Sequence, residues 1–345
     1  IKGVIMTLQE NELIKIRRDL HQIPEIGLEE YETSDYLLKI INGLPQENLE
    51  IKRWKTAILV HLNGENKNYT IGYRTDIDGL PVEEKTGLPF SSKHEGRMHA
   101  CGHDIHMTVA LGVLSYFASH RPKYNMTFIF QPAEENASGG MKLYQSGELD
   151  EWMPDEIYAL HDNPQLPAGT IGCRKGTLFA GTCEIHVKFI GKSGHAAYPH
   201  QANDMVVAGA QFVNQIQTIV SRNVDPIQSG VVTLGHFSAG TTGNVISGVC
   251  QIDGTIRALT QENNLLIQKR VRTIAEGIAH SFDCELEIDL HQGGYYPVEN
   301  DDNTTEAFIN YMKNEDDVDF VETLPAMTGE DFGYLISKIP GTMFW

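Results

Sequence analysis

Met98-His99-Ala100-Cys101-Gly102-His103-Asp104-Ile105-His106 sets three imidazoles, a thiol and a carboxylate within nine consecutive positions. The run Met107-Thr108-Val109-Ala110-Leu111-Gly112-Val113-Leu114 follows directly, with the spacing of a buried helix. Cys and His are the side chains that hold zinc-like divalent ions, and the positive end of a helix dipole further stabilises a thiolate. One histidine in such a place is ordinary core or capping chemistry. A cluster at a helix entrance, matched by ligand-type residues at other element ends, points instead to a metal site.

Those other ends are strand tips. The strand-like Tyr69 to Tyr73 runs into Arg74-Thr75-Asp76-Ile77-Asp78-Gly79, which puts two carboxylates where α/β sheets present their chemistry. A capping Asp beside a turn Asp would leave the same pattern. Met126 to Phe130, apolar on both faces, reads as a central strand and ends in Gln131-Pro132-Ala133-Glu134-Glu135. Adjacent carboxylates repel, so a cation should compensate them. In extended backbone the two would point opposite ways, one to ligate and its neighbour to move protons. Glu156 to Leu160 is a further short strand that ends at His161-Asp162. Upstream, helices are expected over 11–20 and 33–41 and strands over 51–54 and 57–62. Strand and helix alternate, and ligand-type residues gather at their ends, which is the layout of a metal site on an α/β sheet.

From Thr182 the pattern changes. A strand over 183–190, the Gly-rich loop Gly191 to His200, a helix over 204–220, strands over 231–237 and 249–257, a helix over 262–281 and a strand over 284–291 read as β-α-β-β-α-β. The expected fold class is therefore α/β, a sheet with helices that carries the metal site, with an inserted ferredoxin-like α+β unit. Residues 181–291 form the insert, and residues 1–180 and 292–345 form the discontinuous catalytic domain. A length of 345 residues independently predicts two domains.

Bulk chemistry narrows the partners. Asp and Glu number 46 against 27 Lys and Arg, a formal charge of −19 that repels nucleic acid and anionic membrane. Nowhere do about 18 apolar residues run together, so no transmembrane span is expected. Five widely spaced cysteines (Cys101, Cys173, Cys183, Cys250, Cys284) suggest reduced thiols and a cytoplasmic setting. Ile1 to Glu10 lacks the basic region and cleavage site of a signal peptide, and Met6 is expected to be the native start. The chain stops at Trp345 inside a strand-like run, from which further C-terminal residues are expected.

Six motifs in order, Tyr73-Arg-Thr-Asp-Ile-Asp-Gly-Leu-Pro81, Met98-His-Ala-Cys-Gly-His-Asp104, Phe130-Gln-Pro-Ala-Glu-Glu135, Leu160-His161, Gly194-His-Ala-Ala-Tyr-Pro-His200 and Gly329-Glu-Asp-Phe332, resemble the metal-dependent amidohydrolases and aminoacylases. That family includes hippurate hydrolases, plant indole-acetyl-amino-acid hydrolases and bacterial N-acetyldiaminopimelate deacetylases. His21-Gln-Ile-Pro-Glu25, Glu83-Glu-Lys-Thr-Gly-Leu-Pro89, Asn203-Asp-Met-Val-Val207 and Ala326-Met-Thr-Gly-Glu330 are most similar to the deacetylase branch. The resemblance implies Cys101, His103, Glu135 and His161 as ligands of two divalent metal ions, which could be zinc, nickel, cobalt or manganese. It implies Glu134 as general base, Asp76 as the carboxylate that orients a ligand, and His195 as a lid histidine for the oxyanion, reaching the site of a partner subunit. Asn244 and Arg257 are implied as grips for the substrate carboxylate. The resemblance also implies a metallopeptidase-like catalytic domain, whose central mixed sheet has helices on both faces, with the ferredoxin-like insert as a lid or dimerisation domain. A final His ligand is implied beyond Trp345, and a homodimer through the lid domain. The implied reaction is hydrolysis of a small N-acyl amino acid, N-acetyl-LL-diaminopimelate foremost. Hippurate-type amidohydrolysis, a di-metal aminopeptidase or dipeptidase, and a non-enzymatic metal-dependent scaffold are the alternatives.

Overall fold

The computed structural model describes residues 7–345; Ile1 to Met6, with the expected start at Met6, lie outside the described residues. The described residues divide into two compact units, those up to 178, 298–324 and 331–345 in the first and 179–297 and 325–330 in the second.

In the first unit α1 (Glu10–His21) and α2 (Tyr31–Asn42) bury one stripe each, Ile16 and Leu20 on α1 and Leu37 and Ile41 on α2. Strands β1 (Leu49–Trp54), β2 (Ala57–Leu62) and β3 (Asn66–Asp76) follow. Next come α3 (His103–Ser119), β4 (Tyr124–Gln131), the single turn α4 (Glu134–Ala137) and β5 (Glu156–Leu160). The six-stranded sheet has the order β1-β2-β4-β3-β5 and ends on Gly341–Phe344. Strands β2 and β4 are apolar without alternation because both of their faces are covered. Ile58, Val60, Phe128 and Phe130 share one core with α1, α2 and α3, including Met107, Leu111 and Leu114. Leu59 and Ile129, also buried, point to the other face by strand alternation, where Gly139–Gln145 contacts β4.

Direction decides where chemistry collects. Strand β2 runs antiparallel to β1 and β4, whereas β4, β3, β5 and Gly341–Phe344 are mutually parallel. Parallel neighbours present their C-terminal ends at one edge of the sheet. Asp76, Gln131 and Leu160 are those ends, so the residues that follow them meet above a single edge.

The turn after β4 differs from the extended backbone expected for Glu134 and Glu135. Pro132 offers no N–H to continue the ladder, Ala133 takes a left-handed conformation (φ 56°), and Glu134 opens α4. The buried Glu30 holds that turn. Its Oε1 accepts from the Ala133 N–H at 2.8 Å and its Oε2 accepts from the Thr56 hydroxyl at 2.6 Å.

The second unit is a four-stranded antiparallel sheet in the order 230–239, 249–258, 181–190, 285–291. Helices Met205–Ile216 and Gln261–Ser281 share a core with it, built on Ile185, Val187, Phe189, Phe212, Ile252, Ile256, Val271 and Ile278. Its element sequence is β-α-β-β-α-β, with the second and third strands paired and the first strand between the third and the fourth, which is the ferredoxin-like arrangement.

Burial pushes the Glu30 carboxyl up to about 7. Below pH 4.5 it is protonated whether the chain is folded or unfolded; between 4.5 and about 7 the unfolded chain releases a proton that the folded chain keeps. This group therefore makes stability fall with rising pH across that window and level off above it. Glu30→Gln keeps an oxygen for Ala133 and gains a donor for Thr56. It is expected to raise stability at pH 8 by about 2–3 kcal/mol and to leave it little changed at pH 4. Urea denaturation of both proteins at the two pH values checks this; equal gains at both would reject the buried charge as the cause.

Candidate metal centre

His103 is the hub. Gly102 precedes α3 in a left-handed conformation (φ 84°), and His103 enters the helix fully buried. Its Nδ1 donates to the Asp78 carbonyl at 2.8 Å, which fixes the ring and leaves Nε2 facing inward. Around Nε2 stand Glu135 Oε1 at 3.7 Å, Asp76 Oδ2 at 3.8 Å and Glu134 Oε2 at 3.9 Å. Cys101 Sγ lies 3.5 Å from His161 Nε2. The ligand atoms of Cys101, His103 and His161 lie within 4.8 Å of one another, and so do those of His103, Glu134 and Glu135. The structure thus brings together Cys101, His103, Glu134, Glu135 and His161, with Asp76 alongside.

These residues fit divalent cations on a physical test. Among the described residues Glu135 Oε1 and Asp78 Oδ1 are buried carboxylate oxygens without a hydrogen-bond partner, and acceptors of that kind are costly unless something electropositive meets them; His103 Nε2 is likewise buried without one. Burial pushes the Cys101 thiol up to about 11, so thiolate at neutral pH needs positive charge beside it. Burial likewise raises Glu135. Burial alone would lower His103, yet the Asp76 and Asp78 carboxylates hold its pKa well above the usual imidazole value. The pocket is thus rich in anionic groups.

The sequence assigned no role to the residues that hold this set in place. Arg74 is fully buried in β3 and donates from Nε to Gln131 at 2.9 Å, from Nη1 to Asp76 Oδ2 at 2.9 Å and from Nη2 to Asp331 Oδ1 at 2.8 Å. Asp331 also accepts from Gln131 Nε2 and from the Gly140 N–H, and its own N–H donates to Glu134 Oε1 at 3.3 Å. Asp78 accepts from the Glu135 N–H at 3.0 Å, so it braces both His103 and Glu135. The available signals were an arginine inside an apolar strand, the second carboxylate of the Asp76–Asp78 pair, and the Asp in Gly329-Glu-Asp-Phe332. Asp76 itself bonds to Arg74 and to His106 Nδ1, and only approaches His103.

The remaining sequence-selected residues lie in the second unit. His195 pairs with Val245 in a short ribbon, and the Asn244 carbonyl accepts from the Ala196 N–H, so these two are brought together. His195 Nδ1 accepts from the Ala197 N–H at 3.1 Å, which places the proton of the neutral ring on Nε2. Arg257 is not with them. It sits near the opposite end of strand Val249–Ala258 from the Asn244 loop and donates to Thr255 and to the Ile256 carbonyl.

Residues 72–345 match the model of peptidase family M20/M25/M40. The chain belongs to this family. M20 members are metal-dependent hydrolases, in keeping with the donor set around His103. An N-acetyldiaminopimelate deacetylase of Lactiplantibacillus plantarum is 70% identical over 344 residues, 99% of this M20 chain and 90% of that protein. One of Lactobacillus helveticus is 61% identical over 342 residues, 98% of this chain and 89% of the other. The Bacillus subtilis YXEP protein, described as a dinuclear metal-binding peptidase of the M20 family, matches with a TM-score of 0.82 at 32% identity, covering 97% of this chain and 88% of that one.

Arg74→Met removes the guanidinium that lies between the fully buried carboxylates of Asp76 and Asp331. A loss of about 3–5 kcal/mol in unfolding free energy is expected, the cost of an uncompensated buried charge. Denaturant titration measures it, and a loss below about 1 kcal/mol would show that the network carries little of the fold.

Proposed function

We propose that this chain hydrolyses the amide of N-acetyl-LL-diaminopimelate, giving acetate and LL-diaminopimelate, a step of lysine biosynthesis, with two divalent ions held by Cys101, His103, Glu135 and His161. The observation that carries the reaction class is the convergence of those four side chains beside a second carboxylate, Glu134. The relatives at 70% and 61% identity support the substrate.

What bound divalent cations supply here is Lewis acidity toward the amide carbonyl and a lowered pKa for a reacting water. Glu134 is the general base: its carboxylate takes a proton from the attacking water and returns it to the leaving nitrogen. Asp331 holds that carboxylate by its N–H, and Glu134 reaches the same side of His103 as Glu135. Asp76 takes the Nδ1 proton side of His106 and so orients the site at one remove. His195, with Nε2–H outward, donates to the developing oxyanion from the second unit of a partner copy. Asn244, beside His195, contacts the substrate carboxylate; Arg257, near the far end of its strand, does not share that grip within one copy. The metal is zinc, nickel, cobalt or manganese, all compatible with a thiolate, imidazole and carboxylate set.

A homodimer through the second unit fits the same reading. Its edge strand Gly230–Ala239 pairs on one side only, and Val231 and Phe237 are exposed on it. A cytoplasmic location fits five cysteines that form no disulfide. No helix among the described residues is long and apolar enough to cross a membrane.

Protein loaded with cobalt or zinc is expected to turn over N-acetyl-LL-diaminopimelate faster than hippurate, and free-amine dipeptides least. Preference for a free-amine dipeptide in that assay would assign the chain to aminopeptidase chemistry instead. Glu134→Gln is expected to keep its metal content and lose activity by about 10²–10⁴-fold. Full activity in that variant would reject Glu134 as the base.

A further inference from the structure

We propose that His106 is a positioning residue for the metal centre, fixing through Asp162 the direction in which His161 presents Nε2. The inference rests on the reading of Cys101, His103, Glu135 and His161 as metal ligands. It adds a residue that bonds to none of the expected reactants.

His106 lies three positions after His103 on α3, hence on the same helix face, and is almost completely buried. Both of its ring nitrogens are engaged. Nδ1 donates to Asp76 Oδ1 at 2.7 Å. Nε2 meets Asp162 twice, at its amide nitrogen (2.9 Å) and at its Oδ1 (3.0 Å). A lone pair on Nε2 accepts from the amide, and a proton on Nε2 is donated to the carboxylate. One of the two bonds therefore forms in either protonation state of the ring.

From Asp162 the constraint passes to His161. The Asp162 carbonyl accepts from His161 Nδ1 at 2.8 Å, which leaves His161 Nε2 directed at Cys101 Sγ, 3.5 Å away. The His106 and His161 rings also meet edge to face with centroids 4.5 Å apart, so neither turns without moving the other. The His161 N–H continues the ladder by donating to the Phe344 carbonyl at 3.0 Å, so its backbone is held there and the direction of its ring is what the Asp162 contact adds. Space has been kept for the contact: a Cβ on Gly102 would stand 2.1 Å from Asp162 Oδ1, so a side chain at position 102 would push Asp162 off His106. A residue that merely filled this volume would be apolar. Here two buried polar atoms join the tips of β3 and β5 to the helix that carries His103.

Two near-isosteric variants separate the bonds. In His106→Gln the amide group reaches the place of Nε2 and keeps Asp162; in His106→Asn it reaches the place of Nδ1 and keeps Asp76. Cobalt(II) affinity by chelator competition, together with the visible cobalt spectrum, reads the ligand field without turnover. H106N is expected to bind cobalt about 10–100-fold more weakly, the usual cost of losing a group that orients a ligand, with an altered spectrum. H106Q is expected to stay close to the unsubstituted protein. Unchanged affinity and spectrum in H106N, or equal losses in both variants, would overturn the inference. Should H106N not fold, H106Q decides alone: a tenfold or greater loss in it overturns the link through Asp162. Failure of the unsubstituted protein to take up cobalt would overturn the metal-centre reading itself, and this inference with it.

Discussion

Arg74 carries a full positive charge into a sheet interior, and much of the first unit is arranged around keeping it satisfied. Its three nitrogens reach Gln131, Asp76 and Asp331, and the Asp331 oxygens take further hydrogen bonds from Gln131 and Gly140. Stripping water from a guanidinium and two carboxylates costs several kcal/mol per ion, which mutual attraction repays only when geometry and hydrogen bonding are both good. Here they are. The consequence is positional: β3, the end of β4, the turn at Gly140 and the segment around Asp331 are held in one register. Asp331 places an N–H against Glu134, and Asp76 offers its other oxygen to His106. One buried cation thereby sets the proposed base and the carboxylate on the far side of the imidazoles.

Most of the first unit was legible because its information is local. The runs at 57–62 and 126–130 lack alternation and are too short for a helix, so they read as strands, and the structure covers both of their faces. The ligand-type residues follow strand ends, and once β3, β4 and β5 are parallel their tips must share an edge. In the second unit the helix and strand periods give the β-α-β-β-α-β order directly. Strand β3 runs back to Asn66, beyond the apolar stretch, because a strand edge with polar exposed residues has no hydrophobic signature.

What stayed hidden is non-local or depends on a single dihedral. Arg74 and Asp331 stand 257 positions apart, and no pattern in either neighbourhood names the other. The orientation of Glu134 and Glu135 hangs on Ala133 adopting φ 56°, and alanine gives no sign of a left-handed turn. With that turn the two carboxylates do not diverge as in a strand but approach the same imidazole at 3.9 and 3.7 Å. Asp76 shows the same limit. Its place at a strand tip was readable, whereas its partners, Arg74 and His106, follow from how α3 crosses the sheet.

Electrostatics then explains why hydrogen bonds to backbone carbonyls recur among the proposed ligands. Carboxylates of Asp76, Asp78, Glu134 and Glu135 all lie within about 4 Å of His103, and groups of like charge so close tend to move apart or take up protons. Each buried acceptor left without a partner costs about 1–3 kcal/mol, and the costs at Asp78 and Glu135 fall on the same small volume. Packing alone does not resist such a force, because side chains can rotate away without opening a cavity. Directional bonds do. His103 Nδ1 on the Asp78 carbonyl and His161 Nδ1 on the Asp162 carbonyl fix both rings with their Nε2 atoms inward, using neutral acceptors that add no charge to the pocket. A scaffold of this kind keeps ligand atoms converged at the expense of stability, and binding a cation to the folded chain but not to the unfolded one recovers that stability through mass action.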